Sequence, residues 1–445
     1  MEVDKDIIDM TFDDRDEYKR KSIAQKIVKL VISDIDTSPM IIDGGWGTGK
    51  TEFCHKLINL FKKEVDDFKV VYVNAFNEDH TDSPITTVLA AIATAIPEKI
   101  RPSLIKSALP VVRFGLKTTL NAGASWLIRK NSDEFAEELK EAIKKSSRAA
   151  IDGAVNALLE DHIDSKKHID TLKIKLKDIA KTTPIVVCID ELDRCKPSFA
   201  ISIIENIKHV FDVDNLHFIL ISNTQQLRAS IHHTYGNSVD ANRYLDKFIR
   251  YSLTLPEYFK EHSEKDTRAS SRHWENICST KLNLINENAI KSISNIINMR
   301  DISLREVETF ARHIEIYQTL SLKPIDKNTT LGRQLLYLIG VFIFCFDGES
   351  AKKITSKIFT EDTIINSLRL SRIPYNINRY PPHIFIILYA IQHDYHKRKD
   401  TSFTLNDSKV VEWNGYVDSI FHNGNDRPED VCELVIQTIE TLEMK

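Results

Sequence analysis

Glycine and proline are scarce in this 445-residue chain, thirteen of each, and neither gathers into a low-complexity tract. Collagen-like and linker-like architectures are thereby excluded. Charge of one sign is missing as well: 60 basic residues face 64 acidic ones, for a net charge of −4. No chain-wide electrostatic footprint for nucleic acid exists, and only a local basic stripe stays open. The six cysteines (Cys54, Cys188, Cys195, Cys278, Cys345, Cys432) stand apart, with no CxxC pair. That spacing suits free thiols in a reducing, cytoplasmic setting better than a disulfide frame. The acidic start MEVDKDIIDMTFDDRDE lacks the apolar core of a secretory signal.

Long hydrophobic runs are few. Leu335–Phe346 (LLYLIGVFIFCF) is strongly apolar, but its twelve residues are too few to cross a bilayer. The stretch from Leu104 to Ile128 is long enough, yet carries Lys106, Arg113 and Lys117 in its interior. Both read as helices of a protein core. The chain is long enough for two or three domains, and 42% hydrophobic with 28% charged residues is ordinary for a globular protein.

Scarcity sharpens the one place where glycine gathers. The eleven residues Ile41–Thr51 read IIDGGWGTGKT and hold four of the thirteen. Gly44-x4-Gly49-Lys50-Thr51 matches the P-loop pattern in full. Backbone N–H groups must wrap phosphate oxygens at a helix N-terminus, where β-carbons would block the approach. The loop Gly44, Gly45, Trp46, Gly47, Thr48 and Gly49, followed by Lys50, Thr51 and Glu52, is therefore the candidate phosphate-binding segment. Lys50 is placed to reach the β- and γ-phosphates, and Thr51 offers a hydroxyl to Mg²⁺.

The flanking pattern supplies the context this motif needs. Pro39–Asp43 is short, apolar and closed by glycine, as a buried parallel strand would be. A helix is expected through Phe53, Leu57 and Leu60. Lys69–Val73 reads as a second strand, Ile185–Ile189 as a third and Leu216–Ser222 as a fourth, with Ile249–Leu255 as a candidate fifth stopped by Pro256. Helical spacing separates them, with Ser83-Pro84 and Lys196-Pro197-Ser198 as helix starts. Such alternation implies a parallel sheet covered on both faces. From Pro97 to Thr183 a polar, helix-forming insertion carries repeats at Phe135, Leu139 and Ile143, at Ile151, Val155 and Leu159, and at Leu172, Leu176 and Ile179. Beyond Pro256 the strand signal disappears and helical spacing takes over.

A P-loop binds nucleotide without necessarily hydrolysing it. Asp190, at the tip of the third strand, suits the Walker-B role of holding a metal, and Glu191 follows directly, able to polarise water. Asn223 ends the fourth strand. It reads either as a polar sensor of the γ-phosphate or as a simple strand-ending asparagine.

Four stretches together resemble the KAP family of P-loop NTPases: GGWGTGKT from Gly44, Val73-Asn74-Ala75-Phe76, Ile189-Asp190-Glu191-Leu192-Asp193-Arg194-Cys195, and Tyr244-Leu245-Asp246-Lys247-Phe248-Ile249. The tryptophan inside the loop and the LDRC tail are the distinctive parts. The resemblance implies an additional-strand sheet, ATP as the nucleotide and Mg²⁺ as its ion. Many members carry paired transmembrane helices between the two Walker motifs, but the insertion here is too polar to enter a membrane. By the same resemblance, Tyr18 falls where related ATPases build an adenine pocket. Arg305 falls at the start of a lid helix whose arginine contacts the γ-phosphate. Arg194 and Arg243 are candidates for arginine fingers or for internal salt bridges. Bacterial KAP-like proteins often occur in anti-phage settings.

Other constellations carry less. His232-His233 and His393-x-x-His396 lack further ligands at metal-site spacing. Arg379 and His383 are separated by Pro381-Pro382, which would break a helix presenting both. Two short basic runs, at Lys144–Arg148 and His396–Lys399, read as solvated faces or nucleic-acid contacts. The aromatic stretch Ile373–Tyr395 reads as core or as a docking edge. The expected architecture is α/β, a parallel P-loop NTPase sheet with a helical insertion followed by an all-α C-terminal region. Residues 1–257 form the ATPase domain with its insertion at 97–183, residues 258–320 a helical lid, and residues 321–445 an α-helical domain. The expected activity is Mg-dependent ATP hydrolysis driving a conformational or assembly switch, with a protein partner on the C-terminal helices and a homo-oligomer as a further option. The rival is a nucleotide-dependent scaffold or nucleic-acid-associated module.

Overall fold

The computed structural model describes residues 8–16, 18–81, 83–112, 166–260, 266–370, 373–375, 379–399, 405–422 and 424–445. The chain divides into two compact units, Met1–Gly45 with Gly49–Leu255, and Trp46–Thr48 with Pro256–Lys445.

The first unit is built on strands β1 (Met40–Asp43), β2 (Lys69–Asn74), β3 (Ile185–Asp190), β4 (Leu216–Ser222) and β5 (Tyr251–Thr254). Helices that pack on it or follow its strands include α1 (Lys21–Val31), α2 (Lys50–Glu64), α3 (Pro84–Ala95), α4 (Pro197–His209), α5 (Thr224–Tyr235) and α6 (Ala241–Asp246). The strands form one five-stranded sheet in the order β2-β3-β4-β1-β5, and every pairing is parallel.

Uninterrupted apolar runs make such strands because both faces are covered. Alternate residues serve opposite layers. Ile41, Val187, Ile189 and Leu220 pack on one face with Ile203, Ile207 and Leu227. Ile42, Val186, Cys188, Ile219 and Ile221 pack on the other with Phe53, Leu57, Phe61 and Ile27. The register pairs Asp43 with Ser222 and Asn74 with Asp190, so polar residues line the C-terminal edge of the sheet.

Of the insertion, residues 101–112 and 166–182 are described and helical. Leu172, Leu176 and Ile179 are buried, as their spacing predicts, together with Leu104, Ala108 and Val111. The repeats at Phe135, Leu139 and Ile143 and at Ile151, Val155 and Leu159, the basic run Lys144–Arg148, and most of the stretch from Leu104 to Ile128 lie outside the described residues. None of the six cysteines is in a disulfide. Among the described residues no helix is long and apolar enough to cross a membrane.

The second unit corrects one expectation. Strands do continue beyond Pro256: β6 (Tyr258–Lys260) and β7 (Asp266–Arg268) pair antiparallel, with Tyr258 opposite Arg268. Three-residue strands are too short to leave a periodic pattern, which is why the sequence conceals them. The rest is helical: α7 (Ala269–Thr280), α8 (Glu287–Met299), α9 (Leu304–Leu320), α10 (Leu331–Phe346), α11 (Gly348–Thr355), α12 (Glu361–Ser367), α13 (His383–Lys399), α14 (Asp407–Ile420) and α15 (Val431–Leu442).

The twelve-residue apolar run sits in α10, a core helix whose Leu335, Leu336, Leu338, Ile339 and Phe342 are wholly covered. In the aromatic stretch, α13 begins directly after Pro382, and its Ile386, Ile387, Tyr389 and Ile391 are core; Tyr380 stays exposed. Arg379 therefore precedes the helix that holds His383.

Gly340 lets α10 approach α15 closely. A Cβ there would lie 2.7 Å from Thr438 Cβ and 3.3 Å from the Val435 carbonyl oxygen. Gly340→Leu is expected to overpack this interface and lower stability by about 2 kcal/mol. The denaturation midpoint of the variant, followed by far-ultraviolet circular dichroism, checks this.

Candidate nucleotide-binding site

The loop after β1 is anchored at its start, where the Gly44 N–H donates to the Ser222 carbonyl at 3.3 Å. Gly47 (φ +75°) and Gly49 (φ +78°) then turn through the left-handed region, which glycine enters without steric cost. The Gly49 carbonyl accepts the first helical hydrogen bond of α2, from the Phe53 N–H at 3.0 Å. Amides at the start of α2 thus lack partners within the helix, the arrangement that takes an anion. Lys50 Nζ donates to the carbonyls of Gly44 (2.8 Å) and Gly45 (3.0 Å), folded back over its own loop. Burial draws its pKa down, against the pull of Asp193 and Asp190. Thr48 is buried, whereas Trp46 is 55% exposed.

Within the second unit, which includes Trp46–Thr48, the Leu304 N–H donates to the Gly47 carbonyl at 3.0 Å. A Cβ added to Gly47 would lie 2.8 Å from Ser303 Oγ and 3.0 Å from Arg305 Cβ. Arg305 opens α9 just after a capping box, in which Ser303 Oγ accepts from the Glu306 N–H (3.3 Å) and Glu306 Oε2 from the Ser303 N–H (2.8 Å).

Asp190 closes β3, 1% exposed, with the hydroxyl of Thr51 close enough to favour its charged form. It also accepts the Glu191 N–H at 2.8 Å and the Tyr72 hydroxyl at 3.4 Å. Burial pushes its pKa up to about 6, although Thr51 and the Glu191 amide favour the charged form. Burial and Asp190 also raise the Tyr72 phenol, so that it remains a donor. A hydroxyl and a carboxylate side by side are hard oxygen donors that fit Mg²⁺. Among the described residues no group of three or more His, Cys, Asp or Glu side chains could hold a metal. Thr51 with Asp190 would leave the remaining positions around that ion to phosphate and water.

Glu191 has a left-handed backbone (φ +59°). Its Oε2 accepts from Asn74 Nδ2 at 3.1 Å, and its Oε1 pairs with Arg194 Nη1 at 2.9 Å. The internal salt bridge is thus the observed state of Arg194. Arg243 pairs with Asp240 at 3.4 Å and stays exposed. Asn223 caps α5 by accepting the Gln225 N–H at 3.0 Å, while Asp43 Oδ1 accepts the Thr224 N–H at 2.8 Å. Tyr18, buried beneath the Arg20 guanidinium at 5.1 Å, lines a small cavity with Phe12, Asp16, Gly49 and Phe53. Glu52 also lines it, its carboxylate tied to Lys56 (2.7 Å) and Arg15 (2.8 Å).

Sequence reasoning missed two site residues, Tyr72 and the amide role of Asn74. The available signal was their position at the end of an apolar strand, but it gains meaning only when β2 is known to pair with β3. The raised pKa of Asp190 generates a prediction. A carboxyl whose folded pKa exceeds its unfolded value destabilises the fold once ionised, so this penalty is absent below about pH 4 and complete above about pH 6. Metal-free Asp190→Asn should therefore melt above the parent protein at pH 8, with the gap closing toward pH 4. Calorimetry across that range reads it.

The KAP family P-loop domain matches residues 20–321. A phage T7 exclusion protein of Escherichia coli K12 is 23% identical over 268 residues, a match covering 58% of this chain and 36% of that protein. The chain thus spans little more than a third of that relative. Among solved structures, domain III of the Thermotoga maritima replication initiation protein DnaA aligns at 12% identity and a TM-score of 0.34, over 76% of this chain and 97% of that one. The Aeropyrum pernix ORC2 protein aligns at 12% identity and 0.32, over 99% and 90%. These overall likenesses are too low to assign anything. The domain match runs from α1 through the loop, both carboxylates and all of α9, and the chain belongs to the KAP family of P-loop NTPases.

Proposed function

We propose that this chain hydrolyses ATP in a magnesium-dependent reaction and uses nucleotide state as a conformational or assembly switch. The observation that carries this reading is the meeting of Thr51 and Asp190, with Glu191 one residue further on. Triphosphate binding would set the α2 amides against phosphate oxygens and draw Lys50 from the carbonyls it now holds. Thr51 and ionised Asp190 would hold Mg²⁺, which when bound neutralises charge on the phosphates. Glu191 would accept a hydrogen bond from the attacking water and orient it. Asn223 would sense the γ-phosphate from the end of β4, and Tyr18 would pack on the base.

Arg305 would contact the γ-phosphate, a role supported by its place beside Gly47 within the second unit. Nucleotide-dependent ordering there would be read by the C-terminal helices, where a protein partner would bind. Anti-phage defence is the physiological setting we favour. Its support is the distant relative named for excluding phage T7, of which the matched region is 36%.

Turnover of ATP by the purified chain tests the proposal. Lys50→Ala and Glu191→Gln should each lower kcat by a factor of about 100 or more, since each removes a group acting on the transition state. Equal rates in all three proteins would end it.

A further inference from the structure

Glu191 is the carboxylate the reaction needs to turn toward water, yet both its oxygens are already engaged. Oε1 pairs with Arg194 Nη1 at 2.9 Å and Oε2 accepts from Asn74 Nδ2 at 3.1 Å. The Asn74 amide has one orientation available. Its Oδ1 accepts the Asn77 N–H at 3.1 Å, leaving Nδ2 to face Glu191. Arg194 is held as firmly: it lies in a tight helical turn, Leu192–Arg194, and its own N–H donates to the Glu191 carbonyl at 3.1 Å. The Glu191 side chain is only 14% exposed. A charge-assisted pair so sheltered is screened less than one at the surface.

We propose that Arg194 is a cis-acting restraint on the general base: a positioning residue that holds Glu191 off water. This rests on the hydrolytic reading of Glu191 above. The pairing also argues against Arg194 serving a neighbouring copy as a finger, because that role requires the guanidinium to project outward.

Steady-state ATP turnover of the full chain tests the restraint. Arg194→Ala should raise basal kcat about tenfold, the equivalent of about 1.4 kcal/mol of barrier, and leave KM within about twofold. Arg194→Lys should fall between the two, since an ammonium keeps the charge without the planar fork. Adding Glu191→Gln to Arg194→Ala should remove the gain, a result that a general loosening of the turn would not produce. Arg194→Gln provides a second variant should the alanine form fold poorly. A kcat at or below that of the parent in both Arg194→Ala and Arg194→Gln would overturn the restraint, as would a gain that survives Glu191→Gln. The two proposals fail differently. No turnover in parent and variants alike sinks hydrolysis itself, whereas parent turnover without a gain in either variant sinks only the restraint.

Discussion

A hydroxyl on α2 and a carboxylate on β3 meet in the interior of the first unit, and the candidate site depends on that meeting. Asp190 is almost fully covered, so its charged form is costly and its pKa rises to about 6. Three donors offset the cost in part: the Thr51 hydroxyl, the Glu191 amide and the Tyr72 phenol. The Thr51 hydroxyl reaches Asp190 because α2 lies against the sheet, where Phe53, Cys54 and Leu57 pack with Val186 and Cys188. Packing of apolar side chains thereby sets the position of a carboxylate to within hydrogen-bonding distance.

Three charges at the phosphate end of the sheet have partners within the chain. Lys50 leans on two carbonyls, Glu191 on an amide and a guanidinium, and Asp43 on the Thr224 amide. Unpartnered buried charge would be heavily penalised. A triphosphate must therefore replace contacts rather than fill a void, and it carries the charge density to do so.

In the second unit, buried apolar surface and one capped turn divide the work. The apolar α10 is the central packing element, and Gly340 permits the near approach of α15. Buried Arg268 ties β7 to Asp301 (2.6 Å) and to Glu257 (2.9 Å), bracing the turn just before Ser303 and Arg305. Packing and the ionic clamp on buried Arg268 thus hold the start of α9, where the loop tip around Gly47 is seated within the same unit.

Much of this was legible in the residue order, for local reasons. Buried parallel strands must be unbroken apolar runs, so β1 to β4 announced themselves. Phosphate binding needs glycines, a lysine and a hydroxyl at fixed spacing, so Gly44–Thr51 did likewise. Arg194 lies three residues from Glu191, and a turn brings such neighbours together, so an internal salt bridge was among the open readings. Strands β6 and β7 left no trace, because three residues are too few to show alternation. Tyr72 and Asn74 stayed silent for a different reason. Each acts on the residues ending β3 more than a hundred positions away, through a strand order and register that only assembly of the sheet creates. Chemistry carried by adjacent residues belongs to the sequence, while chemistry carried by neighbouring strands belongs to the fold, since pairing between distant segments is decided by how their faces are buried.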